Sequence, residues 1–245
     1  MQRWKITIEY DGTKFCGWQK QPDAVCVQQI VEEAIEEFSL EKVEIYGSGR
    51  TDTGVHAIGQ VAHFDLERDI EDWKICDAIN HGLGPYEIAV IKAEKVDSEF
   101  HARFHAKQRH YTYKILNRRA PSPVNKNRVW NFIHELDEKD MQKAADTLIG
   151  NHDFSTFRAS GCQSESPVKT IDEIKIYRDG EFVFMDISAK SFMYHQVRNI
   201  IGSLVMVGDG RWTMEDFKNA FEAKDRTRGG VTAPACGLYF TKIDY

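Results

Sequence analysis

The chain has 245 residues, 42% apolar and 29% charged, a balance that argues against disorder and allows one large domain or two joined halves with a sizeable core. Five scattered cysteines, odd in number and without a Cys-x-x-Cys pair, argue against a disulfide framework and a zinc site. No apolar run is long enough to span a membrane and the N-terminus lacks an apolar h-region, so the sequence predicts a cytoplasmic protein with no membrane partner.

Residues 3–10 alternate, with Trp4, Ile6, Ile8 and Tyr10 on one face, and read as a strand ending at the turn pair Asp11-Gly12. Val27, Ile30, Val31, Ala34, Ile35 and Phe38 then form a helical stripe, with Glu32, Glu33, Glu36 and Glu37 left for solvent. A short strand over 42–46 runs into a polar loop, and an alternating strand over 58–66 leaves it. Tyr111, Tyr113 and Ile115 share a strand face, residues 117–127 read as an exposed loop or linker, and residues 137–148 as a helix ending before Gly150. Strands over 171–177 and 182–189 precede a helix from about Met193 to Val207, whose apolar face is Val197, Ile200, Ile201, Leu204 and Val205. Thr213 and Asp216 have the spacing of a capping box for a last helix carrying Phe217, Ala220 and Phe221. Strands interleaved with helices in two comparable series predict an α+β chain of two ferredoxin-like halves, divided here as 1–104 and 105–245.

The polar loop is Gly49-Arg50-Thr51-Asp52-Thr53-Gly54-Val55-His56-Ala57. Its glycines allow backbone conformations closed to other residues, its threonines can tie it together, and Asp52 is presented between two strands. Arg50, two positions before Asp52, can hold a carboxylate in the charged form that a nucleophile needs. A turn or helix-cap aspartate is the ordinary alternative.

The net charge of −6 argues at first against a nucleic-acid partner, and the charge distribution reverses that. Residues 100–134 hold eight basic side chains (Arg103, Lys107, Arg109, Lys114, Arg118, Arg119, Lys126, Arg128) and no Asp or Glu, leaving 24 basic against 38 acidic residues elsewhere. A basic stripe interleaved with aromatics suits a polyanion gripped along one path, the aromatics stacking on bases and the cations holding phosphates. Arg198 lies among apolar helix positions and needs a carboxylate partner or a cleft. His56, His101, His105 and His110 have no Glu or Cys at ligand spacing, so no metal is predicted and His56 is expected to shape the loop by hydrogen bonds.

Taken together, the loop string Arg-Thr-Asp-x-Gly-x-His-Ala resembles the active-site loop of the TruA family of tRNA pseudouridine synthases. Glu9-Tyr10-Asp11-Gly12, Gly17-Trp18-Gln19, Arg109-His110-Tyr111-Thr112-Tyr113, Val197-Arg198-Asn199 and residues 232–239 are also similar to family strings, in order along nearly the whole chain. The resemblance implies that Asp52 is the sole catalytic aspartate, that Tyr111 packs on the target base, that Arg198 reaches Asp52 and that Arg50 fills the gap left by an extruded base. It also implies side-by-side halves with merged antiparallel and mixed sheets around a central basic cleft, a homodimer, and a reaction that isomerises uridines 38, 39 and 40 of the tRNA anticodon arm without a cofactor and without a DNA partner. Two rivals remain at this point. A non-catalytic RNA-binding module explains the basic aromatic stripe but not the Asp52 loop; an aspartate-nucleophile hydrolase or phosphotransferase explains Asp52 but needs a second carboxylate or a magnesium site.

Overall fold

Trp4, Ile6, Ile8 and Tyr10 are all buried, so the alternation over 3–10 is the inward face of a strand, as expected. The computed structural model describes residues 1–68 and 70–245. Its elements are β1 (Gln2–Tyr10), α1 (Val27–Ser39), β2 (Tyr46–Gly47), β3 (His56–Leu66), α2 (Asp72–Leu83), β4 (Ile88–Val96), β5 (Gln108–Asn117), β6 (Trp130–Phe132), α3 (Glu138–Asp146), β7 (Gly150–Asp153), β8 (Val168–Asp179), β9 (Phe182–Ala189), α4 (Gln196–Gly208), α5 (Met214–Glu222) and β10 (Leu238–Asp244). The chain is α+β. It divides into two compact units, Met1–Lys107 with Tyr239–Tyr245, and Gln108–Leu238. Among the described residues, no helix is long and apolar enough to cross a membrane.

In the first unit β1 pairs antiparallel with β3 and β4, and β2 pairs antiparallel with β3, giving the order β4-β1-β3-β2 of a split βαβ motif. β10 adds in parallel at the start of β3, Tyr239 opposite His56 and Phe240 opposite Ala57, whereas β2 pairs farther along, Tyr46 opposite His63. The start of β3, where the Asp52 loop ends, is therefore paired on both sides, with the end of β1 and the start of β10.

Two expectations change here. The predicted strand over 42–46 shrinks to Tyr46–Gly47, because side chains of α1 take over the backbone of Ile45: Glu32 Oε1 accepts its N–H at 3.1 Å and Gln28 Nε2 donates to its carbonyl at 3.2 Å. Glu32, expected in solvent, is buried by this same role, and it also pairs with Lys20 at 3.2 Å. A carboxylate that accepts backbone and amide hydrogen bonds can be buried where an unpartnered one cannot.

In the second unit the antiparallel order is β5-β9-β8-β7, with β6 parallel to β5. Residues 117–127 connect β5 to β6 inside this unit and are a loop rather than a linker between units. The Thr213–Asp216 capping box is present. The helix expected from Met193 begins at Gln196: Gln196 Oε1 accepts the Met193 N–H at 2.8 Å, and His195 takes a left-handed φ of 60°, which breaks helical continuity before α4.

His63, on β3, carries a pH dependence. It is buried, accepts the Ala102 N–H at Nδ1 (3.2 Å), and stacks on Tyr46 with ring centroids 5.1 Å apart. Burial pushes its pKa down to about 4, assisted by His101 and Arg3 nearby. Between the ordinary histidine value of about 6.5 and this lowered one, the unfolded chain binds a proton that the folded chain refuses, so stability falls as pH is lowered through that window. Urea unfolding at about pH 7 and about pH 4.5 measures this. Wild type loses more stability than His63→Gln over that interval; equal losses would show that His63 does not contribute.

Candidate active site

The loop carrying Asp52 joins β2 to β3 and is fixed by the end of β1 and the turn that follows it. Tyr10 closes the buried face of β1, and a buried phenol needs a hydrogen-bond partner. Its hydroxyl lies 2.8 Å from Thr51 Oγ1, and burial raises its pKa, keeping it a neutral hydrogen-bonding group. The Trp18 N–H donates to the Thr51 carbonyl at 3.1 Å. This approach requires Gly17, which has φ +90° and where a Cβ would stand 2.5 Å from the same carbonyl oxygen.

Beyond Asp52 the chain turns at once: the Val55 N–H donates to the Asp52 carbonyl at 3.1 Å, with Gly54 at φ +77° and its N–H reaching the Phe15 carbonyl at 3.4 Å. His56 fixes the exit. Its Nδ1 accepts the Gly12 N–H at 3.0 Å and its ring stacks on Tyr239 with centroids 4.7 Å apart, so His56 shapes the loop through a hydrogen bond as expected. Asp11 Oδ1 approaches the same nitrogen at 3.2 Å, and that oxygen also accepts from the N–H and hydroxyl of Thr13. At the entrance, fully buried Gln60 accepts from Ser48 Oγ at 2.7 Å and donates to the Gly49 carbonyl at 2.8 Å.

The result is a half-buried Asp52 and an exposed Arg50 on a backbone tied at both ends. A side chain so held needs little reorganisation to meet a substrate atom. Sequence reasoning did not assign Tyr10, Trp18 and Gln60 to this clamp. Gln60 was the available signal: a polar residue at an inward position of a strand has to bond something.

The other expected site residues belong to the second unit. Tyr111 is buried on β5 opposite Ile187, and Phe192 meets its ring edge-on with centroids 5.3 Å apart and an interplanar angle of 89°. The Arg109 guanidinium donates to the Lys190 carbonyl, tying the segment that carries Phe192 to β5. Arg198 is half-buried on α4, and its Nε donates to the Ala233 carbonyl at 2.8 Å while the Ala233 N–H returns to the Arg198 carbonyl at 3.2 Å. Buried Asn199 holds the same segment by accepting from the Thr232 hydroxyl at 2.7 Å. Arg198 is close enough to act electrostatically on the Tyr113 phenol, whose pKa burial drives well up. Part of the basic stripe is used internally: Arg118 pairs with Glu181 at 2.7 Å. Arg103, Lys107, Arg119, Lys126 and Arg128 are exposed.

The family described as tRNA pseudouridine synthase matches residues 6–105 and 144–245. The chain is 51% identical to a tRNA pseudouridine synthase A of Maricaulis maris, over 100% of this chain and 98% of that protein. It is 50% identical to a tRNA pseudouridine synthase A of Rhodospirillum centenum over the full length of both. A solved Cbf5-Nop10-Gar1 complex contains a chain similar over 82% of this one and 45% of its own length, at 10% identity and a TM-score of 0.36, a likeness too slight to add to the relatives.

Proposed function

Because the chain belongs to the tRNA pseudouridine synthase family, a family of isomerases, we propose that it converts uridines 38, 39 and 40 of the tRNA anticodon stem-loop to pseudouridine, with Asp52 as nucleophile. The observation that carries this reading is the clamp on Asp52: Thr51 held by Tyr10 and Trp18 before it, and His56 held by Gly12 after it. The reaction breaks the N-glycosidic bond, turns the uracil and rejoins it through C5, which loses its proton while N1 gains one. Substrate and product are isomers, so the balance needs no oxidant and no co-substrate, and no cofactor is invoked.

In this reading Tyr111 is the platform for the uracil, its ring orientation fixed by Phe192, and Arg50 occupies the stack vacated by the extruded nucleotide. Arg198, oriented through Nε by the Ala233 carbonyl, is assigned to substrate binding. The exposed cations of residues 100–134 take phosphates, which suits a target spread over three neighbouring positions, because shape and backbone contacts carry RNA helix recognition. The protein is proposed to work as a homodimer, on the strength of the family resemblance, and in the cytoplasm, as the sequence predicts.

Mapping pseudouridine in transcripts of several tRNAs after incubation tests the assignment. Product confined to positions 38, 39 and 40 is expected; product only elsewhere in the tRNA would overturn the positional claim. Arg198→Glu is expected to lower turnover by about 10²–10³-fold, the scale for losing a preorganised charge in a site. Near-normal turnover in that variant would remove Arg198 from the site.

A further inference from the structure

Phe104 is an anomaly of the first unit: a large apolar ring 73% exposed on a turn that is firmly built. His101 Nδ1 accepts the N–H groups of Arg103 at 3.2 Å and Phe104 at 3.4 Å, the Ala102 N–H goes to His63, and the Tyr245 hydroxyl donates to the Ala102 carbonyl at 2.9 Å. Behind the Phe104 ring runs a file of rings: His101 with its centroid at 4.3 Å, then His63 at 4.6 Å from His101, then Tyr46. The Arg103 guanidinium carbon lies 5.8 Å from the Phe104 centroid. The ring is thus exposed by construction and has a cation beside it.

From these observations we infer that Phe104 and Arg103 form a second station for the RNA, Phe104 stacking on an unpaired or terminal base and Arg103 meeting the adjoining phosphate. An aromatic face with a cation at its edge is the arrangement that holds single-stranded nucleic acid without reading its sequence. The local charge fits a polyanion, since residues 100–134 contain no acid. The station stands apart from the exit of the Asp52 loop: His63, in the file behind Phe104, lies seven residues along β3 from His56, roughly 20 Å at the rise of a strand. The inference rests on the reading that the substrate is tRNA, and adds to it a contact away from the reacting nucleotide.

The test measures tRNA affinity, KM and kcat for the wild type, Phe104→Ala, Phe104→Trp and Arg103→Gln, with thermal melting and solution mass of each. Phe104→Ala is expected to weaken tRNA binding about 5- to 100-fold with kcat at saturation unchanged, and Phe104→Trp to restore it. Arg103→Gln is expected to reduce the slope of log affinity against log salt by about one. Melting should not move, because the ring is exposed. Affinity and KM within twofold of wild type in both Phe104→Ala and Arg103→Gln would overturn the inference. So would a fall in solution mass at unchanged affinity, which would mean that a second copy of this chain covers the ring. Wild-type protein that neither binds nor modifies tRNA would instead remove the reading on which the station rests.

Discussion

Asp52→Ala is expected to abolish pseudouridine formation, by more than about 10⁴-fold, while tRNA affinity stays within about threefold of wild type. The two halves of this result have separate causes. Turnover is lost because the reaction is assigned to a single carboxylate on a loop whose neighbours are tied in place: Thr51 and Gly54 by their backbones to Trp18 and Phe15, and His56 by its ring nitrogen to the Gly12 N–H. Affinity is kept because it arises from cations meeting phosphates, and removing one negative charge from a polyanion site cannot weaken that attraction. Melting should change little, since Asp52 is only half-buried and alanine retains the carbonyl that accepts the Val55 N–H. The combination separates an enzyme from a binding module. A variant that still forms product would place the nucleophile elsewhere; one that loses product and affinity together would point to a binding role for Asp52.

Gly12→Ala is expected to damage both fold and turnover from a position that touches no substrate. A Cβ there would collide with the carbonyl oxygen of Val55, a backbone atom that cannot swing away, and Gly12 also supplies the N–H that holds His56. Overpacking of this kind costs about 1–3 kcal/mol, which for a chain of this size lowers Tm by roughly 2–12 °C. The larger effect is on kcat. Pushing Val55 and His56 outward moves the exit of the Asp52 loop, and a displacement of about 1 Å at a reacting group costs on the order of 10²-fold. Gly84→Ala is the control, because its nearest neighbour would lie at an ordinary 3.4 Å. Circular dichroism melts and single-turnover rates measure the two effects. A Gly12→Ala protein with unchanged kcat would show that the Gly12 side of the clamp does not position Asp52.

Much of the framework is legible because it repeats one physical rule. β1 alternates, α1 carries a stripe of Val27, Ile30, Val31, Ala34 and Ile35, and all of these side chains are buried. α5 announces itself by its capping box. Elements with diluted patterns escape the same reading. α2 buries only Ile75, Ile79 and Leu83, exposes Trp73, and is preceded by Glu71, whose side chain makes no cap hydrogen bond. β4 pairs with β1 along one edge and carries Lys92, Glu94 and Lys95, charges that an edge strand tolerates and that mask alternation. β2 fails for a third reason, because Glu32 and Gln28 satisfy the Ile45 backbone in place of a ladder, a long-range event that no local period encodes.

The same division holds at the site. Asp52, Arg50 and Tyr111 stand out because they lie in strings that resemble family strings, and His56 is recognisable as a loop-shaping residue. Tyr10, Trp18 and Gln60 do not stand out, because their contribution is tertiary: each bonds a backbone or hydroxyl group tens of residues away or across a strand pair. Arg198 is recognisable as an arginine out of place on an apolar helix, yet the Ala233 carbonyl that orients it comes from a segment 35 residues later.

In the proposed function, uridine in tRNA is isomerised without help from any other reagent. Purified wild-type protein, freed of metal by a chelator, is incubated with an unmodified tRNA transcript, which is then digested to nucleosides and separated. Pseudouridine is expected to appear in step with the loss of uridine. Unchanged uridine with several tRNAs, from a folded protein that binds them, would contradict it.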